Sequence, residues 1–231
     1  GCAGFCYALG VASDLVRAGT AEHVLVVGVE RMSDTTEPTD RSVRFIFGDG
    51  AGAVVVGPSD EVGIGPTVWG FGRRAGQRDP PGAGLGRLRP EPGPEASVDH
   101  HGGTAVFRWA AFEMSKFARQ IADKAGVAVT DLDAFVPHQA NLRINDVIVK
   151  QLELPDTVAV ADDIIETGNT SAASIPLAME KMLRTGQVKE GDTALLLAFG
   201  GRPVLRGPGR EDAASGPVGV PPADRPVAAA M

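Results

Sequence analysis

Cysteine is scarce in this chain: there are two among 231 residues, Cys2 and Cys6, one helical turn apart. So sparse a set neither makes a disulfide framework nor completes a structural zinc site, and both thiols are expected to be reduced, with no metal bound. Long apolar runs are lacking too. None approaches the ~18 residues of a membrane span, and no basic-then-apolar leader is visible, so the expected compartment is the cytoplasm, with no membrane association. A basic excess is also missing. The net charge of −7 argues against wholesale nucleic-acid binding, although a local basic patch can still receive an acidic protein. The chain opens on Gly1 with no initiator methionine, and a helix that starts at once has no strand before it to present it, so the sequence reads as a fragment of a longer protein.

Hydrophobic residues make up 43% of the chain, enough for a sizeable core in one large domain or two small ones. Phe5, Leu9, Ala12 and Val16 recur at helical spacing, which predicts a helix to about Ala18 with Gly19 as its C′ residue. His23 to Val29 is a continuous apolar run, as in a strand buried on both faces. Helix followed by short buried strand predicts α/β architecture.

Residues 31–44 form a loop by composition. The following Phe47-Gly48-Asp49-Gly50-Ala51-Gly52-Ala53 formally matches a dinucleotide-binding fingerprint, but its β-branched continuation to Gly57-Pro58 predicts a strand where the fingerprint needs a helix. The glycines instead allow tight backbone packing under a site. Residues 72–100 are rich in Gly, Pro and Arg and read as a surface loop between two halves, 1–71 and 101–201.

The second half opens with an amphipathic helix carrying Phe107, Ala111, Met114, Ala118, Ile121 and Ala125 on one face, closed by Gly126. The strand Ala134-Phe135-Val136 is ended by Pro137, which delivers His138 at its C-terminal edge, where ligands bind in open α/β sheets. A helix from Leu142 to Leu152, a strand near 157–160, a Gly168-to-Ser174 turn leading into a helix ending near Gly186, and a strand from Thr193 to Phe199 follow. From Arg202 to Met231 there are six prolines, four glycines and no aromatic residue, so this tail is expected to be disordered.

Three side chains carry the chemistry. Cys2 lies at a helix N-terminus, where orphan N–H groups and the helix dipole favour the thiolate. His138 follows a strand end, and Asn169 sits in a Gly-Asn-Thr-Ser turn. Taken singly, each has a structural reading: a small buried hydrophobe, a satisfied imidazole, a helix cap. Their joint occurrence at element ends points to one site.

Cys2-Ala3-Gly4-Phe5, the glycine-rich strand, Pro137-His138-Gln139-Ala140-Asn141-Leu142-Arg143-Ile144 and Gly168-Asn169-Thr170-Ser171-Ala172-Ala173-Ser174 occur in that order, and together they resemble β-ketoacyl-[acyl carrier protein] synthase III of the thiolase-fold family. The resemblance covers residues 1 to about 201 outside the 72–100 loop. It implies a five-layer α/β/α/β/α fold whose N-terminal half is incomplete here, normally in a homodimer. It implies an acyl-accepting nucleophile at Cys2 and a decarboxylating pair at His138 and Asn169, with Cys6 as packing. Arg41 and Ile46 match family contacts to the adenine end of CoA, and Phe107, Ala140 and Asn141 match its pantetheine tunnel. Arg108, Arg143 and Lys150 match basic positions that meet the acidic carrier protein.

The reaction implied is decarboxylating condensation of an acyl-CoA with malonyl-acyl carrier protein, with no permanently bound cofactor and CoA thioester as substrate. Thr104 departs from an Asn common in the family, and Arg202-Pro203-Val204 replaces its closing strand, which suggests a frameshift or an incompletely assembled gene. Two other readings compete: a papain-like Cys-His-Asn hydrolase, and a truncated, non-catalytic protein that binds acyl carrier protein.

Overall fold

The computed structural model describes residues 1–36, 39, 41, 44–69 and 112–200 in full, and the backbone of 71–72, 102–111, 214–215 and 227–230. Helix α1 (Gly4–Arg17) buries Phe5, Leu9, Ala12 and Val16, the face its spacing dictates, and Gly19 follows its end at φ 71°, a conformation that costs glycine little. Strands β1 (Val24–Arg31) and β2 (Asp49–Pro58) pair antiparallel from Val24↔Val56 to Arg31↔Asp49. Alternation turns Val26, Val54 and Val56 onto α1. It leaves Leu25, Val27 and Val29 between 51% and 65% exposed on the opposite face. The expectation of a strand buried on both faces is therefore corrected: among the described residues nothing covers the outer face.

Three segments then extend the chain: β3 (Phe71–Gly72), α2 (Gly102–Ala125) and β4 (Ala134–Pro137). On α2, Met114 and Ala118 enter the core as expected, but Ala122 takes the place anticipated for Ala125, which lies exposed in the last turn. Helix α3 (Leu142–Leu152) starts and ends where its sequence pattern puts it, and β5 (Ala159–Val160), the short α4 (Ile164–Thr167), α5 (Ser174–Arg184) and β6 (Ala194–Leu197) follow. Strands β5, β4 and β6 form a parallel sheet with β4 central, and the connections through α3 and α5 are the helical crossovers that parallel pairing requires.

Two apolar clusters define the layers. Phe135, Leu195 and Leu197 pack on Met114, Ala118, Ile144, Ile148 and Leu152 of α2 and α3. The other face of the same sheet, Ala134 and Val136, joins Ile175, Ala178 and Met182 of α5, the buried face of α1, and the inner valines of β1 and β2. Helices α1 and α5 are thus held between two sheets, giving the order sheet, helices, sheet, helices. The described residues supply four layers of the five that the resemblance implies, and the bare face of β1 and β2 is where the fifth would lie.

Residues 73–101, most of the expected 72–100 loop, lie outside the described residues. So does most of 202–231, in which two short stretches are strands: β7 (Ala214–Ser215) pairs with β3, and β8 (Val227–Ala230) runs antiparallel to β2. For those stretches the expectation of disorder is corrected by backbone pairing to a free strand edge.

The glycines of β1 and β2, and Gly48 just ahead of β2, are spacing devices. A Cβ on Gly48 would run into the carbonyl oxygen of Thr167, and one on Gly28 would stand 2.5 Å from that of Ala172. Neither neighbour is a side chain that can swing away. Gly48→Ala is expected to lower unfolding stability by about 3 kcal/mol in urea titrations, an overpacking cost, whereas Gly65→Ala, where nothing lies within 4 Å, should leave it unchanged.

Candidate active site

The turn before α1 is closed by Gly4 N–H donating to Gly1 O at 2.7 Å, and it leaves Cys2 half-buried just ahead of the helix. The Cys2 sulfur accepts from the Ser171 hydroxyl at 3.6 Å. Cys6, one turn deeper, packs against the core, and burial pushes its thiol up to about 12, so it stays protonated and inert. Both cysteines are half-buried, but Cys6 lies inside α1 whereas Cys2 lies ahead of it.

His138 leaves the end of β4 with its backbone N–H donating to Leu197 O at 2.7 Å, so the neighbouring strand fixes where the imidazole starts. The ring is 1% exposed and meets Phe199 edge-on, with centroids 5.4 Å apart. Burial brings its pKa down to about 4, which keeps it neutral across the physiological range. Its Nδ1 lies 2.7 Å from the Ser174 hydroxyl, and the backbone N–H of Gln139 donates to that same oxygen at 3.3 Å.

Asn169 follows Gly168, whose φ of 68° turns the chain out of α4. Its backbone bridges the start of β2: Asn169 N–H donates to Ile46 O at 2.8 Å, and Gly48 N–H donates to Asn169 O at 3.1 Å. Its side-chain Oδ1 accepts from Ser171 N–H at 2.9 Å, so the amide oxygen is committed inside the turn. Ser171 sits at φ 50°, a left-handed conformation uncommon for a residue with a Cβ, and Glu30 accepts from Ala172 N–H at 3.5 Å.

A single seven-residue turn, Gly168 to Ser174, thus joins the three candidates. Ser171 touches Cys2 and orients Asn169; Ser174 touches His138. The sequence reading gave no role to Ser171, Ser174 or Glu30. The first two stand inside the word that carried the resemblance, whereas nothing in Glu30's own neighbourhood marks it.

The remaining candidates are spread around this turn. Ile46 is half-buried and supplies the carbonyl that holds Asn169, while Arg41 is exposed and lines a surface concavity with Arg44 and Phe45. Ala140 is half-buried, and Asn141 caps α3, its Oδ1 accepting from Arg143 N–H at 2.9 Å. Arg143 and Lys150 are exposed on α3. Phe107 and Arg108 lie on α2, and their side chains fall outside the described residues. Among the described residues no group of three or more His, Cys, Asp or Glu could hold a metal, and no helix is long and apolar enough to cross a membrane.

Helices packed between two sheets, with a cysteine heading one of the inner helices, define a thiolase-type α/β fold. The family model for 3-oxoacyl-[acyl-carrier-protein] synthase III matches residues 1–71, and the model for its C-terminal part matches residues 122–202. The chain is 54% identical over 210 residues to β-ketoacyl-[acyl-carrier-protein] synthase III 1 of Streptomyces coelicolor, covering 87% of this chain and 61% of that protein. It is 54% identical over 201 residues to the mycobacterial synthase III of Mycobacterium avium, covering 87% and 60%. Among solved structures, the priming β-ketosynthase of the R1128 polyketide pathway superposes with a TM-score of 0.73 at 43% identity, covering 96% of this chain and 64% of that one. The synthase III of Thermus thermophilus gives 0.72 at 37% identity, covering 94% and 65%. The chain belongs to the 3-oxoacyl-[acyl-carrier-protein] synthase III family. It spans about three-fifths of the length of the curated relatives it matches.

The neutral imidazole makes stability depend on pH. Its folded pKa of about 4 lies below the unfolded value of 6.5, so the unfolded chain binds the extra proton between these values, and the contribution is full above pH 6.5 and lost as pH falls toward 4. Relative to His138→Gln, the native chain is expected to lose about 3 kcal/mol across that window in denaturant titrations at a series of pH values. Iodoacetamide at pH 8 followed by peptide mapping is expected to modify Cys2 and spare Cys6.

Proposed function

We propose that this chain carries the condensing centre of a β-ketoacyl-[acyl carrier protein] synthase III, which joins an acyl-CoA primer to malonyl-acyl carrier protein and so initiates fatty-acid or polyketide synthesis. The observation that carries this reading is the Gly168–Ser174 turn, which contacts Cys2, fixes the Asn169 amide and bonds the His138 ring. Cys2, as thiolate, attacks the carbonyl of the acyl-CoA thioester; the CoA thiol leaves and a new thioester forms on the sulfur. A malonyl thioester then loses CO2, and the electron pair of the broken carbon–carbon bond passes into an enolate. The enolate carbon attacks the Cys2-bound acyl group, forming the β-ketoacyl product and releasing the Cys2 thiolate.

The costly species is the enolate oxyanion. His138 Nε2 and Asn169 Nδ2 are the two donors suited to it, because each has its other polar atom tied into the turn. Such donors act through preorganisation, and each is worth on the order of 3 kcal/mol in comparable oxyanion sites. The same geometry disfavours a papain-like hydrolase, in which the amide would orient the imidazole: here His138 Nδ1 bonds Ser174 instead.

Arg41 and Ile46 are assigned to the adenine end of CoA, and Phe107, Ala140 and Asn141 to the pantetheine arm. Because Asn141 Oδ1 is used as a helix cap, its amide nitrogen is the group left for that arm. Arg108, Arg143 and Lys150 are assigned to the acidic carrier protein; the exposure of Arg143 and Lys150 on one helix supports this. We place the reaction in the cytoplasm, with CoA thioester as substrate, no resident cofactor and a homodimeric assembly as in the family.

With labelled acyl-CoA, Cys2→Ala is expected to abolish label transfer to the protein. His138→Ala and Asn169→Ala should keep the label and slow malonyl decarboxylation by about 10²–10³-fold. Transfer of label to Cys2→Ala would contradict the assignment.

A further inference from the structure

Ser174 is the first residue of α5 and is fully buried, so its hydroxyl cannot hydrogen-bond to bulk water. Among the described residues its oxygen has two partners. One is the backbone N–H of Gln139 at 3.3 Å, which can only donate. The other is His138 Nδ1 at 2.7 Å. A hydroxyl has one proton to give and two lone pairs to receive. If Nδ1 carried the ring proton, the oxygen would accept twice and its own proton would be buried without an acceptor, which native structures avoid. If Ser174 donates to Nδ1, each of the three groups is satisfied. The ring proton then sits on Nε2, on the far side of the imidazole.

We propose that Ser174 is a positioning residue that locks His138 in its Nε2–H tautomer, so that the ring meets substrate as a hydrogen-bond donor and not as a base. Gln139 contributes by filling a lone pair of the hydroxyl and steering its proton toward the ring. The Leu197 carbonyl anchors the His138 backbone and Phe199 packs against the ring, while Ser174 sets which nitrogen bears hydrogen. The lock is a property of the folded chain; only its catalytic consequence rests on the condensing-enzyme reading. In that reading the opposite tautomer would present a lone pair to the enolate oxygen and repel it. Acylation of Cys2 needs no proton transfer to His138 and is independent of the lock.

The test uses the 231-residue chain labelled with ¹⁵N-histidine. Two-bond ¹H–¹⁵N correlation spectra at pH 7, with His138 assigned by comparison with His138→Gln, are expected to show Nδ1 unprotonated and Nε2 protonated. In Ser174→Ala the Nδ1–H form should gain population. Malonyl-thioester decarboxylation should slow by roughly 10–100-fold, less than on removing the donor itself, with acylation of Cys2 unchanged. Ser174→Thr, which keeps the hydroxyl, should restore both tautomer and rate. A protonated Nδ1 in the native chain overturns the proposal, and so does a folded Ser174→Ala with unaltered tautomer and rate. Should Ser174→Ala fail to fold, the native spectrum alone decides. A native spectrum of the expected form in a chain that decarboxylates nothing leaves the lock standing and counts against the functional reading.

Discussion

The backbone from Thr167 to Ala172 lies directly on Gly28 of β1 and on Gly48, just ahead of β2, with no side chain between them. Gly28 faces the Ala172 carbonyl, Gly48 the Thr167 carbonyl, and Gly50 the Thr170 side chain. This close approach brings Asn169 N–H within reach of Ile46 O and sets the turn beside the start of α1, where Ser171 meets Cys2. The antiparallel hairpin of the first half and the parallel sheet of the second thus meet through one turn. A side chain at either of the two closest glycines would push the turn, and with it Asn169, off the hairpin.

The electrostatic character of the site follows from that packing. His138 is neutral because it is buried, not because a charged neighbour opposes it, and a neutral imidazole suits the donor role proposed for it. Cys6, inside α1, has its thiol pushed up by burial, while Cys2, just ahead of the helix, is touched by the Ser171 hydroxyl. Cys2, Asn169 and His138 are thereby each joined to one turn, with no ion pair linking them among the described residues.

Much of this was legible in the sequence where local physics decides. The helix pattern from Leu142 to Leu152, the glycine stops at Gly19 and Gly126, and Pro137 presenting His138 depend on neighbours in the chain, and the structure agrees with them. The glycines of residues 48–52 read as packing residues because a β-branched run followed them, and they are. What the sequence could not reveal depends on distant partners. The run from His23 to Val29 is apolar on both faces, but the described residues cover only one. The tail strand Val227–Ala230 has nothing in its composition to mark it and exists by pairing with the free edge of β2. Glu30, Ser171 and Ser174 gain roles only when the turn is folded, since each acts through a hydrogen bond to a residue far along the chain or to a backbone group.

The claim on which the rest stands is that His138 and Asn169 present two donors to one oxygen beside the Cys2 sulfur. A crystal structure of the full-length protein with a non-decarboxylating malonyl-thioester analogue tests it most directly. The analogue's thioester oxygen is expected within hydrogen-bond distance of both His138 Nε2 and Asn169 Nδ2, with the Cys2 sulfur facing the methylene carbon. A thioester oxygen held by neither nitrogen, or a ring turned so that Nδ1 faces the analogue, would contradict it.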